Sequence, residues 1–399
     1  MGPVKKVIFF NEAPFDERRY NRLGIEILQK NGFDVEVWDF TLSLHPDVHR
    51  QGEGVYTRFS GLRQFLTKQK AVTAIKKLEP SCFVVSLLAC GYGAFDLYRA
   101  LSSTEVRYAT VVVNAVPVLS RIRDPWIILD QVTRLMTGRT YEKLFNAVIS
   151  RIPFRYIGIR PAAILLAGGE QSIFHNNKYS VNKETTVLWC HTLDYDLYLS
   201  EKDKPVPVDT NMGVFLDEYL PFHLDYVRSG SNPPPSGPDS YFPALRRLFD
   251  VLERELRVKI VIAAHPSSDY ENRAKHPEDY FGGRQIVKGK SLELIKKARF
   301  VIAHESTVLN FAVMANKPIV FVTTDEIERN PREARFIHAM AAWLNKTAIN
   351  ADASLHLDWK RELTVDRDAY ARYREAHIKK SGSPEKPAWQ ILADYLKAQ

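Results

Sequence analysis

Cysteine is scarce in this 399-residue chain: Cys82, Cys90 and Cys190 are the three thiols, each inside an apolar run. Thiols so widely spaced exclude a disulfide framework and a clustered metal centre, and they predict a cytoplasmic protein. Long hydrophobic runs are missing too. The longest, Phe83 to Cys90 and Thr110 to Val118, fall far below the ~20 residues that cross a bilayer. The opening MGPVKKVIFFNEAPF has neither an extended apolar segment nor a small-residue cleavage site, which predicts a chain without an export signal. The first β-α turn lacks a dinucleotide-binding glycine fingerprint, and no phosphate-loop lysine motif occurs, which argues against an NAD enzyme. Helix-turn-helix, zinc-finger and RNA-binding sheet motifs are absent, so nucleic acid is not an expected partner.

What is present suits a large globular enzyme. Apolar residues make up 45% and charged residues 26% of the chain, a balance that builds cores rather than disorder. The length fits two domains of roughly 100 to 200 residues each. The net charge of +8 is compatible with phosphorylated substrates or an anionic membrane surface and decides between none of them.

Apolar strand-like runs alternate with helical patterns along the chain. VKKVIFF reads as a first strand, followed by a charged loop and a helix over Tyr20 to Asn31. FDVEVWDF, CFVVSLLA and RYATVVVNAV continue the series, with strands at 161–169 and 185–196 closing it. Residues 120–160 interleave Trp, Ile, Leu and Phe with eight Lys or Arg. This basic amphipathic insertion is either a helix pair packed on its own domain or a segment lying on an anionic bilayer. EKDKPVPVDTN (201–211) reads as a linker, after which MGVFLDE opens a second series through KIVIAAHP, RQIVKG, RFVIAHEST and KPIVFVT. Alternation of this kind predicts parallel sheets.

Ligands of such sheets bind beyond the carboxyl ends of the strands. That rule selects Asp217 and Glu218 after MGVFL, His265 and Pro266 after KIVIAA, and Glu305, Ser306 and Thr307 after RFVIAH. A carboxylate there can deprotonate an acceptor hydroxyl. A helix starting after Ser306 and Thr307 would offer backbone N–H groups and two hydroxyls to a phosphate, or those residues simply cap it. In the first series the corresponding positions are Asn11, Glu12, Arg18 and Arg19 after strand one, and Gly91 and Gly93 in CGYG after the strand CFVVSLLA. His191, Asp194 and Asp196 lack the fixed spacing of a metal site and read as turn and packing residues.

The acidic pair Asp217-Glu218, the His265-Pro266 pair and the Ser306-Thr307 pair occur in the order found in bacterial GT-B transferases of surface polysaccharides. The chain resembles sialyltransferases, polysialyltransferases and capsule Kdo transferases over roughly 210–325. Tyr219 stands where those families have glycine. The tail GSPEKPAWQIL also resembles one found on surface-carbohydrate proteins.

The resemblance implies an α/β, GT-B-like fold with two doubly wound Rossmann-type domains facing a cleft: an acceptor domain over 1–205 and a donor domain over 212–380. A C-terminal helix over 384–399 would return to the first domain. It further implies an inverting, metal-independent glycosyltransferase. Asp217 or Glu218 would be the base, His265 would act on the leaving phosphate, and the 306–307 pair would hold that phosphate. Val287, Lys288 and Gly289 would lie at the nucleotide base, and Asn11, Glu12, Arg18, Arg19, Gly91 and Gly93 on the acceptor side. No cofactor is implied beyond the nucleotide-sugar co-substrate, a CMP-sugar being favoured over UDP- or GDP-sugars. The acceptor would be a glycan or lipid-linked glycan, the setting the inner face of the cytoplasmic membrane. Related two-domain folds also host sugar-nucleotide epimerases and pyruvyl or glycerophosphate transferases. A non-enzymatic nucleotide- or nucleic-acid-binding protein is the remaining alternative.

Overall fold

The computed structural model describes residues 2–45, 59–117, 145–146, 148–149, 152, 154–174, 181–223, 234–353 and 357–399. Most of the expected basic insertion, including 118–144, lies outside the described residues, as does 224–233 of the Pro-rich loop. The chain divides into two compact units. One takes the described residues of Met1–Ala115, Asp130–Asp196 and Lys379–Gln399, and the other contains those of Leu197–Ile378.

The first unit holds β1 (Lys6–Asn11), β2 (Asp34–Asp39), β3 (Leu62–Gln64), β4 (Cys82–Ser86), β5 (Arg107–Val112), β6 (Ile164–Ala167) and β7 (Thr186–Trp189), in the order β3-β2-β1-β4-β5-β6-β7. Every pairing is parallel. β4 is buried along its whole length because both sheet faces are covered, which is why its sequence is a continuous apolar run.

Where a single helix is expected over Tyr20 to Asn31, two short ones form, Glu17–Arg22 and Ile25–Lys30. The break is at Gly24, whose φ of +56° is left-handed, and a Cβ there would lie 2.2 Å from Trp389 Cδ1. Trp389 sits on the C-terminal helix Ala388–Lys397, is fully buried, meets Phe9 edge-on at 5.1 Å and donates its indole N–H to the Arg22 carbonyl at 2.8 Å. Leu392 and Leu396 of the same helix join the core formed by Val7, Phe9, Val35 and Val37. The end of the chain therefore completes the core that its beginning opens.

His191 fastens the approach to that helix. Its buried ring lies 2.8 Å from the Lys386 carbonyl and 2.9 Å from the Thr192 carbonyl, and the Ala388 N–H donates to Asp196 at 2.9 Å. Glu385 pairs with Lys379 at 3.0 Å and Lys386 with Asp394 at 2.8 Å. The run expected as strand to 196 ends at Trp189, and Leu193–Glu201 is helical. The alternation Leu193, Tyr195, Leu197 mimics a strand, but this helix buries no residue and so needs no helical apolar stripe.

The second unit holds β8 (Asp209–Leu216), β9 (Lys259–Ala264), β10 (Ile286–Lys288), β11 (Ala298–Ala303), β12 (Ile319–Thr323) and β13 (Ile349–Asn350), ordered β10-β9-β8-β11-β12-β13 and again parallel. β8 begins inside the expected linker. Its first three residues are polar because they project beyond the covered part of the sheet, while Met212 to Leu216 are buried. The 19-residue helix Pro238–Leu256 lays Phe242, Leu245, Leu248, Phe249 and Leu252 on this sheet. Among the described residues no helix is long and apolar enough to cross a membrane.

Candidate functional site

Both sheets reverse direction of strand addition at their centre, β1 against β4 in the first and β8 against β11 in the second. The loops leaving such a pair part to opposite sides and open a crevice at the carboxyl ends. In the second sheet Leu216 pairs with Ala263 and with Ala303, and Lys288 with Ala264. Asp217, His265 and His304 are thus the first residues past three adjacent strand ends, with Gly289 following a fourth.

The two acidic residues have different surroundings. Asp217 is buried and engaged: Oδ1 accepts the Tyr219 N–H at 3.0 Å, Oδ2 accepts the Tyr270 hydroxyl at 3.0 Å, and the His265 backbone adds another bond. Burial pushes its pKa up to about 7, against the pull of the Tyr270 and His265 hydrogen bonds. Glu218 as a whole residue is half-buried, but its Oε1 is shut off from solvent with no hydrogen-bond partner among the described residues. Its carboxyl is held well above the usual carboxylate range, by burial first and then by the Glu305 charge. The Glu305 N–H opposes the rise, and Asp217 and Glu333 add to it. Asp217 is built into the turn, while Glu218 has one buried oxygen that no described residue satisfies.

Tyr219 adopts φ +57° and ψ +32°, the left-handed conformation that glycine occupies without strain. The Tyr219 ring compensates: it packs edge-on against Tyr270 at 4.9 Å, and its hydroxyl meets Asp269 and Arg273.

His265 accepts the Ser267 N–H on Nδ1 at 3.1 Å, so a neutral ring carries its proton on Nε2, as a donor. His223 packs edge-on against it at 4.9 Å. His304 is fully internal: its ring nitrogens lie 2.7 Å from the Val322 carbonyl and 2.9 Å from the Tyr241 hydroxyl, and burial lowers its pKa to about 4. It stays neutral and positions Tyr241.

The helix after Ser306 and Thr307 starts at Leu309 and has six residues, with the Ser306 hydroxyl accepting the Val308 N–H at 3.3 Å. Glu305, Ser306 and Thr307 therefore line a turn leading to a short helix, and the hydroxyls matter more there than a helix dipole. Pro266 follows His265 in the turn. Val287 is half-buried at the end of β10, the Lys288 ammonium donates to the Ser268 carbonyl at 2.5 Å, and Gly289 has φ +79°.

In the first unit, buried Asn11 accepts an Arg19 Nη1 hydrogen bond at 2.9 Å and donates to the Ala13 carbonyl. Glu12 accepts the Ala89 N–H at 3.3 Å, with His45 4.0 Å away. Burial raises the Glu12 pKa, and the Ala89 N–H and the Arg19 charge restrain the rise. Arg18 is exposed. Gly91 is needed for contact, since a Cβ would approach Asn146 Oδ1 to 3.0 Å, the atom that accepts the Tyr92 N–H at 2.8 Å; Gly93 faces open space. Tyr270, which opens the short helix Tyr270–Arg273, and His223 and Asn146 were not legible in the sequence, for they belong to no motif of their own.

No protein-family model matches the sequence, and no curated protein matches it. Solved structures do. A wall teichoic acid polymerase, TagF, in a CDPG soak, matches with a TM-score of 0.51 and 14% identity over 98% of this chain and 88% of that one. That similarity settles the architecture. The fold is GT-B-like. A UDP-GlcNAc 2-epimerase from Methanocaldococcus jannaschii matches at 0.46 and 13% identity, over 99% and 100% of the two chains. MurG from Acinetobacter baumannii matches at 0.45 and 14%, over the same shares. These two scores are too low to add to the argument.

Proposed function

We propose that this GT-B-like chain is an inverting glycosyltransferase that uses a nucleotide sugar, a CMP-linked acidic sugar being the favoured donor, and needs no metal at its leaving group. Glu218 carries the reading. Its elevated carboxyl, with one oxygen unengaged, stands past the central strand of the second sheet, and the turns carrying His265 and the Ser306 and Thr307 hydroxyls follow the strands on either side. A base of raised pKa takes the acceptor proton effectively near neutral pH. As the acceptor oxygen bonds to the anomeric carbon, the bond from that carbon to the phosphate oxygen breaks. His265 Nε2–H and the two hydroxyls stabilise the charge that the departing nucleotide gains.

Asp217 orders the turn through Tyr219 and Tyr270, and the base role passes to its neighbour. Lys288 and Gly289 hold the nucleotide base side, and Asn11, Glu12, Arg18 and Arg19 serve the acceptor. The acceptor is a glycan or lipid-linked glycan on the inner face of the cytoplasmic membrane.

Calorimetry with CMP, UDP and GDP, followed by product analysis with the matching sugar conjugates, tests this. CMP binding that weakens at least tenfold in His265→Ala, with nucleotide released on transfer, is the expected result. An isomerised nucleotide sugar with no release would replace a transferase by an epimerase, and absence of nucleotide binding would remove the reading altogether.

A further inference from the structure

A cavity of about 470 Å³ opens in the second unit between the first turns of helix Pro238–Leu256 and the segment 274–280. None of Glu218, His265, Glu305, Ser306 or Thr307 lines it. Phe242 and Tyr280 supply its apolar wall, with ring centroids 4.7 Å apart and planes crossed at 44°. Arg246 and Lys275 bring two basic side chains, and Asp239 and Asp279 two exposed acidic ones.

Arg246 is built into this cavity. It is half-buried, one guanidinium N–H donates to the Asp279 carbonyl at 3.2 Å, and neither it nor Lys275 has a carboxylate ion-pair partner among the described residues. Its stem lies over Gly282, where a Cβ would come within 3.3 Å of Arg246 Cδ and where φ is +66°. A glycine thus clears the bed on which the guanidinium rests, and the remaining donors of the planar fork suit a carboxylate or phosphate.

The other walls narrow the ligand class. The half-buried Tyr280 ring, backed at 4.7 Å by the buried Phe242, gives the cavity an apolar face on which the C–H-rich side of a pyranose can lie. Carboxylates beside the cations repel a polyanion but accept hydrogen bonds from hydroxyl groups. The volume lies within the range of small-ligand sites. We propose that this cavity binds an anionic sugar, its ring against Phe242 and Tyr280, its carboxylate or phosphate on Arg246 and Lys275, and its hydroxyls on Asp239 and Asp279. The anionic sugar is either the acidic end of a glycan or a free sugar phosphate.

Binding is measured without turnover, so the outcome is independent of the transferase reading. Calorimetry on the full chain uses glucose, glucuronic acid, glucose 6-phosphate and an oligosaccharide ending in glucuronic acid. The acid and the phosphate are expected to bind at least tenfold more tightly than glucose, and Arg246→Ala to remove that preference while CMP affinity stays unchanged. Lys275 is exposed, so Lys275→Ala keeps the fold and is expected to weaken the same ligands at least threefold. Tighter binding of the oligosaccharide than of glucuronic acid identifies a glycan end. Tightest binding of glucose 6-phosphate with exclusion of the oligosaccharide identifies a free sugar phosphate. Equal affinity for glucose and its charged relatives, or unchanged affinity in both variants, overturns the proposal.

Discussion

Glu12 and Glu218 occupy equivalent places in the two units, each just past the central strand of a parallel sheet where strand order reverses. Their electrostatic neighbours are opposite. Glu12 has an Arg19 charge nearby, which restrains the rise that burial causes. Glu218 has Glu305, Asp217 and Glu333, which reinforce it. The same location in the same kind of sheet therefore yields a charge-compensated carboxylate in one unit and a carboxyl poised to hold a proton in the other. Topology selects where chemistry can occur, and the neighbouring charges select which chemistry.

The units differ also in how their cores close, and that difference supplies the largest expected effect. The first unit borrows Trp389, Leu392 and Leu396 from the end of the chain, whereas the second is closed by local helices. Deleting 384–399 should unfold the first unit, since losing Trp389 alone costs on the order of 3–5 kcal/mol. Proteolysis should then digest the first unit while leaving a core from the second. Equal protection of both would show that the helix is dispensable.

Asp217→Asn sharpens the contrast through pH. Below its unfolded pKa of 3.8 the Asp217 carboxyl is neutral in both states. Between there and about 7 it ionises only in the unfolded chain, so stability falls as pH rises and the loss is complete above about 7. The upper bound is about 4 kcal/mol. The carboxamide can still accept the Tyr219 N–H and donate to the Tyr270 oxygen. Denaturant midpoints for the variant should therefore be flatter across that pH window, and a parallel slope would place the titration elsewhere.

At the rim itself, Glu218→Gln should lower transfer roughly 10²- to 10³-fold with nucleotide affinity retained, and Glu12→Gln less than tenfold. If the two variants behave alike, the comparison between the units fails. Wild-type transfer should also fall as pH drops through the elevated Glu218 pKa, because the base must be ionised. Its acidic limb should therefore lie above that of an ordinary carboxylate. The smallest effect should come from Tyr219→Gly. Relief of the left-handed φ gains about 1 kcal/mol, offset by loss of the contacts to Tyr270, Asp269 and Arg273.

Much of this architecture was legible in the chain. Strands buried on both faces announce themselves as apolar runs such as CFVVSLLA and KPIVFVT, and the polar residues after them mark the rim. The helix break at Gly24 was not legible, because its cause is Trp389, 365 positions away. The helix Leu193–Glu201 was hidden by a strand-like alternation in an element that buries nothing.

Sequence by itself determined the parallel α/β class, the two series of strands and the positions Asp217, Glu218, His265, Ser306 and Thr307, because hydrophobic period and strand ends are local properties. Tertiary structure decided which carboxylate has both oxygens hydrogen-bonded and which has one left unsatisfied. That choice depends on Tyr270, Glu305 and the His265 backbone, which only the lateral order of β9, β8 and β11 brings together. Tertiary structure likewise gathered Arg246, Lys275 and the packed Phe242–Tyr280 wall into one cavity. Charge and desolvation act through space, and the chain records only their ingredients.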